Sequence, residues 1–285
     1  NSKKMIIDKN KVSVAFQGMK GAYSNMASEE CFPNGKTIPC YSFEEMLDKT
    51  KRGIANYAMV PIENSVAGRV ADIHNLLPES GLYITAEHFQ KVNHQLLVLP
   101  GTKLNEIKTV KSHAQGIAQC RKLIKKLKLL PIQHIDTAGA AEEVSRNNDP
   151  SVAAIASKMA AKFYGLEVLM ENIEDAIHNT TRFLIMSSNP STPSKDTKTT
   201  VTTIIFEVRS VPAALYKVLG GFATNGINLT KLESYIGGEK MNAARFYVDA
   251  EGHPESQQMK NALDEMKFYT MPKSIKILGS YKRNK

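Results

Sequence analysis

Short apolar runs alternate with polar turns along the first two thirds of the chain, and many of the runs lead into a helix start. Residues 12–16 read as a strand, followed by a glycine-containing loop in which Ser24 is placed to cap a helix from Asn25. Ser42 and Glu45 have the spacing of a capping box for a helix through Lys51. Strands are predicted at 57–62, 82–87, 95–99, 108–111, 131–135, 153–155 and 183–186. Ser112 closes one of them at the start of a basic helix. Asp136 and Thr137 stand before an alanine-rich helix from Ala138. This alternation predicts an α/β domain.

The pattern changes after a stretch of hydroxyl residues and prolines at 187–200 that holds no aliphatic side chain and reads as a linker. Beyond it come a strand at 201–208 and a helix at 212–224 with Leu215, Val218, Leu219 and Phe222 on one face, stopped by Gly226. Strands at 227–236 and 241–249, joined through Gly237 and Gly238, a helix at 255–267 and a strand at 274–281 complete a βαββαβ order. That order predicts a ferredoxin-like fold, which by itself carries no function.

Composition narrows the class. Apolar residues make up 42% of 285, enough for a core, and no window approaches the ~18 consecutive apolar residues of a membrane span. The polar start, 1–11, does not read as a signal peptide, so a soluble, cytoplasmic protein is expected. Cys31, Cys40 and Cys120 are odd in number and far apart, which argues against a disulfide framework or a cysteine zinc site. The net charge of +9 is spread over 1–11, 121–128 and 273–285. In the middle stretch Ile117, Cys120, Ile124 and Leu127 repeat at helical spacing, which turns the basic residues to solvent. Nucleic acid is not the expected partner; an anionic small molecule suits the charge.

Helix starts carry unpaired N–H groups and partial positive charge, and in open α/β sheets ligands gather at the carboxyl ends of strands. Asn64-Ser65, Ser112-His113 and Thr137-Ala138 all sit at such turns. Each alone reads first as a cap; three together suggest a site for an acidic small molecule. Gly18-Met-Lys-Gly21 lacks the dinucleotide and P-loop patterns, no HxxxH pair occurs, and there is no GxSxG elbow. His94, beside a strand, reads as a core or hinge histidine before a base.

These turns carry a family resemblance. VPIENSVAG (Val60 to Gly68), HQLL (His94 to Leu97), SHAQ (Ser112 to Gln115) running on to Gln119, DTAGAA (Asp136 to Ala141) and NTTRF (Asn179 to Phe183) resemble prephenate dehydratase in order and spacing. Gly21-Ala-Tyr-Ser24 fits as well. Pro212 to Leu215 and Asn228 to Ser234 resemble that family's regulatory ACT domain. The resemblance implies a two-lobed dehydratase domain like a type II periplasmic binding protein at 11–188, a linker at 189–198 and an ACT domain at 199–285. It implies decarboxylative dehydration of prephenate to phenylpyruvate, with no cofactor and no metal, on the route to phenylalanine.

Carried over by motif, Thr181 is the catalytic donor, and Asn64, Ser65, Ser112, His113, Gln119, Thr137 and Arg182 are substrate-binding candidates. If 180–183 is extended, Thr181 and Phe183 share a face and Arg182 points away, so Arg182 reads as structural before it reads as a substrate contact. Effector contacts map to Ala213, Ala214, Leu215, Glu233 and Ser234, with L-phenylalanine as effector and a homodimer or homotetramer as the assembly. The sequence departs from the family at Ala114, where a proline is common, at Ala213, where a glycine is, and at Tyr235-Ile236, in place of Arg-Pro. Arogenate dehydration and non-catalytic amino-acid sensing are the competing readings; the presence of Thr181 favours catalysis.

Overall fold

The computed structural model describes residues 12–236 and 244–284. The expected turn at Gly237-Gly238 and the start of the following strand lie outside them, as does the polar beginning of the chain. The chain divides into two compact units. The first runs through Lys49 and takes in Ile54–Val70 and His88–Phe183; the second is Thr50–Gly53, Ala71–Glu87 and Leu184–Lys285. The second unit therefore takes two segments, Thr50–Gly53 and Ala71–Glu87, from between those of the first.

In chain order the elements begin with β1 (Ser13–Gln17), α1 (Tyr23–Cys31), β2 (Lys36–Cys40), α2 (Phe43–Lys51), β3 (Tyr57–Asn64), β4 (Gly68–Arg69), α3 (Ala71–Leu76) and β5 (Tyr83–Lys91). There follow β6 (Gln95–Val98), β7 (Thr109–His113), α4 (Ala114–Gln119), α5 (Arg121–Lys126), β8 (Leu130–His134), α6 (Thr137–Asn147), β9 (Val152–Ala156), α7 (Lys158–Tyr164), β10 (Glu167–Met170) and β11 (Thr180–Ser187). The last are β12 (Thr200–Glu207), α8 (Ala214–Thr224), β13 (Leu229–Ile236), β14 (Ala244–Glu251), α9 (Gln257–Met266) and β15 (Lys276–Lys282).

The first unit holds two sheets. In one, β1 lies parallel between β2 and β3, with β11 beyond β3. Val14, Ala15 and Phe16 are fully buried, the unbroken apolar run of a strand covered on both faces. β2 escapes the sequence pattern because it carries Pro39, which an edge strand tolerates. The other sheet has the order β10-β6-β9-β7-β8. Leu96 and Val98 pack with Ile124 and Cys120 on one face, while Leu97 packs with Ala140, Ala141 and Ala160 on the other. Period-two alternation sets the division, and the alanines let α6 and α7 approach the sheet closely. The basic stretch is solvated as expected, Ile124 inward and Lys125 and Lys126 exposed. It is not one helix, however: Cys120, at φ −123° and ψ 26°, separates α4 from α5.

Local capping differs from expectation at α1. That helix starts at Tyr23 with Ala22 before it and no side-chain cap, and Ser24 accepts from Ser28 through its backbone carbonyl. At α2 the Ser42 hydroxyl accepts from Glu45 N at 3.1 Å, while the Glu45 carboxylate reaches back to Tyr41 N at 2.7 Å, one residue beyond the box position.

In the second unit the strand order β13-β14-β12-β15 with two crossing helices is the ferredoxin-like arrangement. Val218, Phe222, Met259, Ala262 and Met266 pack on Ile204, Phe206, Phe246 and Val248. A βαββαβ unit taken alone would leave its second face and both edges open. Here α3 reaches that face, where the His74 ring lies edge-on to Tyr247 at 5.3 Å. The β15 edge is also taken: Gly279 pairs with Ile84 of β5, and Lys276 Nζ donates to Pro78 O at 2.8 Å. A side chain at Gly279 would fall 2.2 Å from the Ile84 carbonyl oxygen, so the pairing requires a residue without one. The outer strand is β13.

Candidate active site

Of the three turns read as helix starts, Asn64-Ser65 opens none: β3 ends at Asn64 and the chain turns back into β4. At the second turn the cap is His113, whose Nδ1 accepts from Gln115 N at 3.2 Å. Ser112, one residue earlier, is fully buried and donates to the Ile155 carbonyl oxygen at 2.7 Å. Its hydroxyl thus ties β7 to β9 and does not cap the helix. At the third turn Asp136 is the cap, accepting from Gly139 N at 2.5 Å, and Thr137 is the first helical residue. The aspartate already supplies negative charge to that helix end. Any side chain at Gly116 would meet Ser112 Oγ at 2.6 Å and Thr137 Cγ2 at 3.6 Å, so the first turn of α4 packs on both.

The far end of α4 belongs to a second cluster. Gln119, its last residue, joins the lead-in to β11: Asn179 Nδ2 donates to Gln119 Oε1 at 2.9 Å. Asn179 Oδ1 accepts from Asn64 Nδ2 at 2.8 Å, and the same nitrogen donates to Thr181 Oγ1 at 2.9 Å. Asn64 cannot be turned over without loss, because its Oδ1 accepts from Val66 N and Ala67 N, both at 2.9 Å. Thr181 is therefore an acceptor toward Asn64, which leaves its own O–H to donate elsewhere.

Two further ties hold Thr181 in place. Ser65 Oγ donates to His178 O at 2.5 Å and accepts from Thr180 N at 2.9 Å, and Ser65 N donates to Thr180 O at 2.9 Å. Ser65 is thus a clasp between the β3 turn and β11. Residues 180–183 are extended, as the alternation argument requires, and Arg182 is buried and paired with Glu63 Oε1 at 3.0 Å. That contact ties β11 to β3. The structure therefore gathers Asn64, Ser65, Gln119, Thr181 and Arg182 around β3 and β11, and Ser112, His113 and Thr137 around the first turn of α4.

Residue-by-residue reading missed Tyr23, His94, Asn179 and Glu63 as participants, although all four lie inside the quoted motifs. His94 Nε2 is 2.7 Å from Gln119 Oε1, and the Tyr23 hydroxyl is 2.9 Å from His94 Nδ1 and 2.8 Å from Asn93 O. Burial pushes the His94 imidazole pKa down, against weaker upward pulls from the Gln119 hydrogen bond and Glu174, so the neutral ring is favoured. Burial, with Cys120 and Glu174 adding to it, holds the Tyr23 phenol well above its ordinary range. The loop that delivers Tyr23 is clamped by α7. Ser157 Oγ donates to Gly21 O at 2.5 Å, and Gly21, at φ +89°, has room for no side chain because a Cβ would lie 2.7 Å from Ala160 Cα.

The effector candidates are less concentrated. Ala213 has the left-handed φ of 61° and precedes α8; Ala214 is buried and Leu215 half-buried. Glu233 Oε1 lies 3.7 Å from Lys231 Nζ, whereas its neighbour Ser234 projects from the opposite face of β13. The three thiols are free, and burial pushes Cys31 up to about 11 and Cys120 further still. Among the described residues no helix is long and apolar enough to cross a membrane.

The profile of the family described as prephenate dehydratase matches residues 14–191. The bifunctional N-acyl-homoserine lactone acylase/prephenate dehydratase of Komagataeibacter europaeus is 46% identical over 94% of this chain and 95% of its own. Arogenate dehydratase/prephenate dehydratase 1, chloroplastic, of Arabidopsis thaliana is 38% identical over 96% of this chain and 73% of its own. Among solved structures, a prephenate dehydratase in complex with L-Phe from Arthrobacter aurescens superposes with a TM-score of 0.87 at 30% identity, covering 95% of this chain and 90% of that one.

Proposed function

The chain belongs to the prephenate dehydratase family, and on that premise we propose that it converts prephenate to phenylpyruvate, carbon dioxide and water. Prephenate is a cyclohexadiene one step from aromaticity. When the ring carboxylate leaves as carbon dioxide, its bonding electrons enter the ring and expel the 4-hydroxyl, which takes up one proton to become water. The enzyme's task is to orient the ring and to donate to the departing oxygen. The observation that carries the reading is the Asn64 amide donating to Thr181 Oγ1 at 2.9 Å, since it leaves the threonine O–H as the free donor.

In this reading Thr181 is the catalytic donor, Asn64 orients it, Gln119 meets the substrate, and Ser65 and Arg182 hold the strand that presents Thr181. Ser112, His113 and Thr137 shape the other end of α4. The test is to give purified protein prephenate and follow phenylpyruvate. Arogenate, with phenylalanine as the readout, is the parallel arm, because plant relatives such as the Arabidopsis protein carry both activities in their names. The Komagataeibacter relative makes an N-acyl-homoserine lactone the third compound to offer. Product from prephenate supports the proposal; product from arogenate alone replaces it with the aminated substrate.

Residues 199–285 are proposed as an ACT domain that pairs chains and binds phenylalanine. The ferredoxin-like strand order and the L-Phe complex of the Arthrobacter relative support this, and β13 is the edge available for pairing. Calorimetry with L-phenylalanine beside an inhibition assay tests it; neither heat nor inhibition at millimolar ligand would leave the unit an assembly module.

A further inference from the structure

The amide chain has a polarity that can be read from one end to the other. Val66 N and Ala67 N, each 2.9 Å from Asn64 Oδ1, can only donate, so Asn64 Oδ1 accepts and Asn64 Nδ2 faces Asn179 and Thr181. Asn179 Oδ1 then accepts, and Asn179 Nδ2 must face Gln119 Oε1. That oxygen accepts from Asn179 and also lies 2.7 Å from His94 Nε2, so Nε2 carries a hydrogen. A neutral ring protonated at Nε2 has its lone pair on Nδ1, and the one hydrogen of the Tyr23 hydroxyl is shared between that lone pair at 2.9 Å and Asn93 O at 2.8 Å. With its oxygen held twice, Gln119 can present only its amide nitrogen outward, and that nitrogen has no partner among the described residues.

We infer that Tyr23 and His94 are positioning residues for the proposed dehydration: by fixing the tautomer of His94 they hold Gln119 with its NH2 group, a hydrogen-bond donor, toward an anionic substrate. The inference rests on the dehydratase reading for the identity of the substrate and on geometry alone for the tautomer. If Gln119 lost its grip it would turn over and offer oxygen to a dianion. Thr181 would be less affected, because Asn64 is anchored independently by Val66 and Ala67. The pair therefore acts on substrate binding more than on the chemical step.

The test has two readouts. Nitrogen-15 NMR of the histidine ring in the wild-type protein at neutral pH reports the tautomer without any turnover, and protonation at Nε2 with bare Nδ1 is expected. In kinetics with prephenate, His94→Leu should raise KM about tenfold, the cost of one lost hydrogen bond to an ion, while kcat stays within a few-fold. His94→Gln, which restores an N–H near the position of Nε2, should recover most of that loss. Tyr23→Phe should raise KM by less. A ring protonated at Nδ1, or a folded His94→Leu protein with the wild-type KM, would overturn the inference. A wild-type protein with the stated tautomer and no turnover of prephenate would instead sink the dehydratase reading.

Discussion

Both units bury polar side chains, but they close their hydrogen bonds differently. In the second unit Thr203 Oγ1 donates to Asp249 Oδ1 at 2.7 Å and lies 2.9 Å from the Tyr281 hydroxyl, all three residues being fully buried within the sheet. Each group there finds its partner inside the fold. In the first unit the run from Tyr23 through His94, Gln119, Asn179 and Asn64 ends on donors, Thr181 O–H and Gln119 Nε2, that have no partner among the described residues. A closed cluster stabilises one structure; an open chain with fixed polarity leaves donors aimed at something else. In the proposed function, the open end is where the substrate is met.

The comparison is broken if a change at the open end harms the fold, or one in the closed cluster harms catalysis. The largest expected effect is at Thr181. Thr181→Ala should lower turnover of prephenate by about 10²–10³ with thermal stability nearly unchanged, the usual consequence of removing one donor at a developing charge. Thr181→Ser should keep more activity because it retains the hydroxyl, with a freer rotamer. Thr203→Val makes the opposite prediction. It deprives a buried carboxylate of a donor and should cost about 1–3 kcal/mol in denaturant unfolding, with turnover per folded molecule intact.

Ser112→Ala sharpens the contrast within the first unit. Its hydroxyl serves the Ile155 carbonyl, so about 1 kcal/mol of stability should be lost, and activity should persist at temperatures where the variant is fully folded. The smallest effect is a gain. Ala213 holds φ at 61°, which costs an alanine roughly 1–2 kcal/mol and glycine little, so Ala213→Gly should net about 0.5–1 kcal/mol in thermal unfolding.

How far these regions were legible in the sequence follows the range of their contacts. The alternation of Leu96, Leu97 and Val98, the solvated basic stretch and the capping pair Ser42 and Glu45 are local, and the pattern alone exposes them. Motifs placed Asn64, Gln119 and Thr181 in one site, but not the direction of their hydrogen bonds. That direction depends on the Val66 and Ala67 amides and on His94, which the local pattern treats as a core residue. The covering of the ferredoxin-like sheet by α3 was invisible for the same reason: nothing around His74 signals Tyr247 as its neighbour. Asp136 was passed over in favour of Thr137 because both suit a helix start, and only the carboxylate's contact with Gly139 N distinguishes them.

The claim that Asn64 makes Thr181 a donor has a direct test in Asn64→Asp. The shape is kept, and a carboxylate accepts from the Val66 and Ala67 amides as well as the amide oxygen does, but the group facing Thr181 changes from donor to acceptor. It would then capture the threonine O–H. The prediction is a folded protein whose kcat for prephenate falls about as far as that of Thr181→Ala, on the order of 10²–10³. A folded Asn64→Asp protein with kcat near wild type would contradict the account.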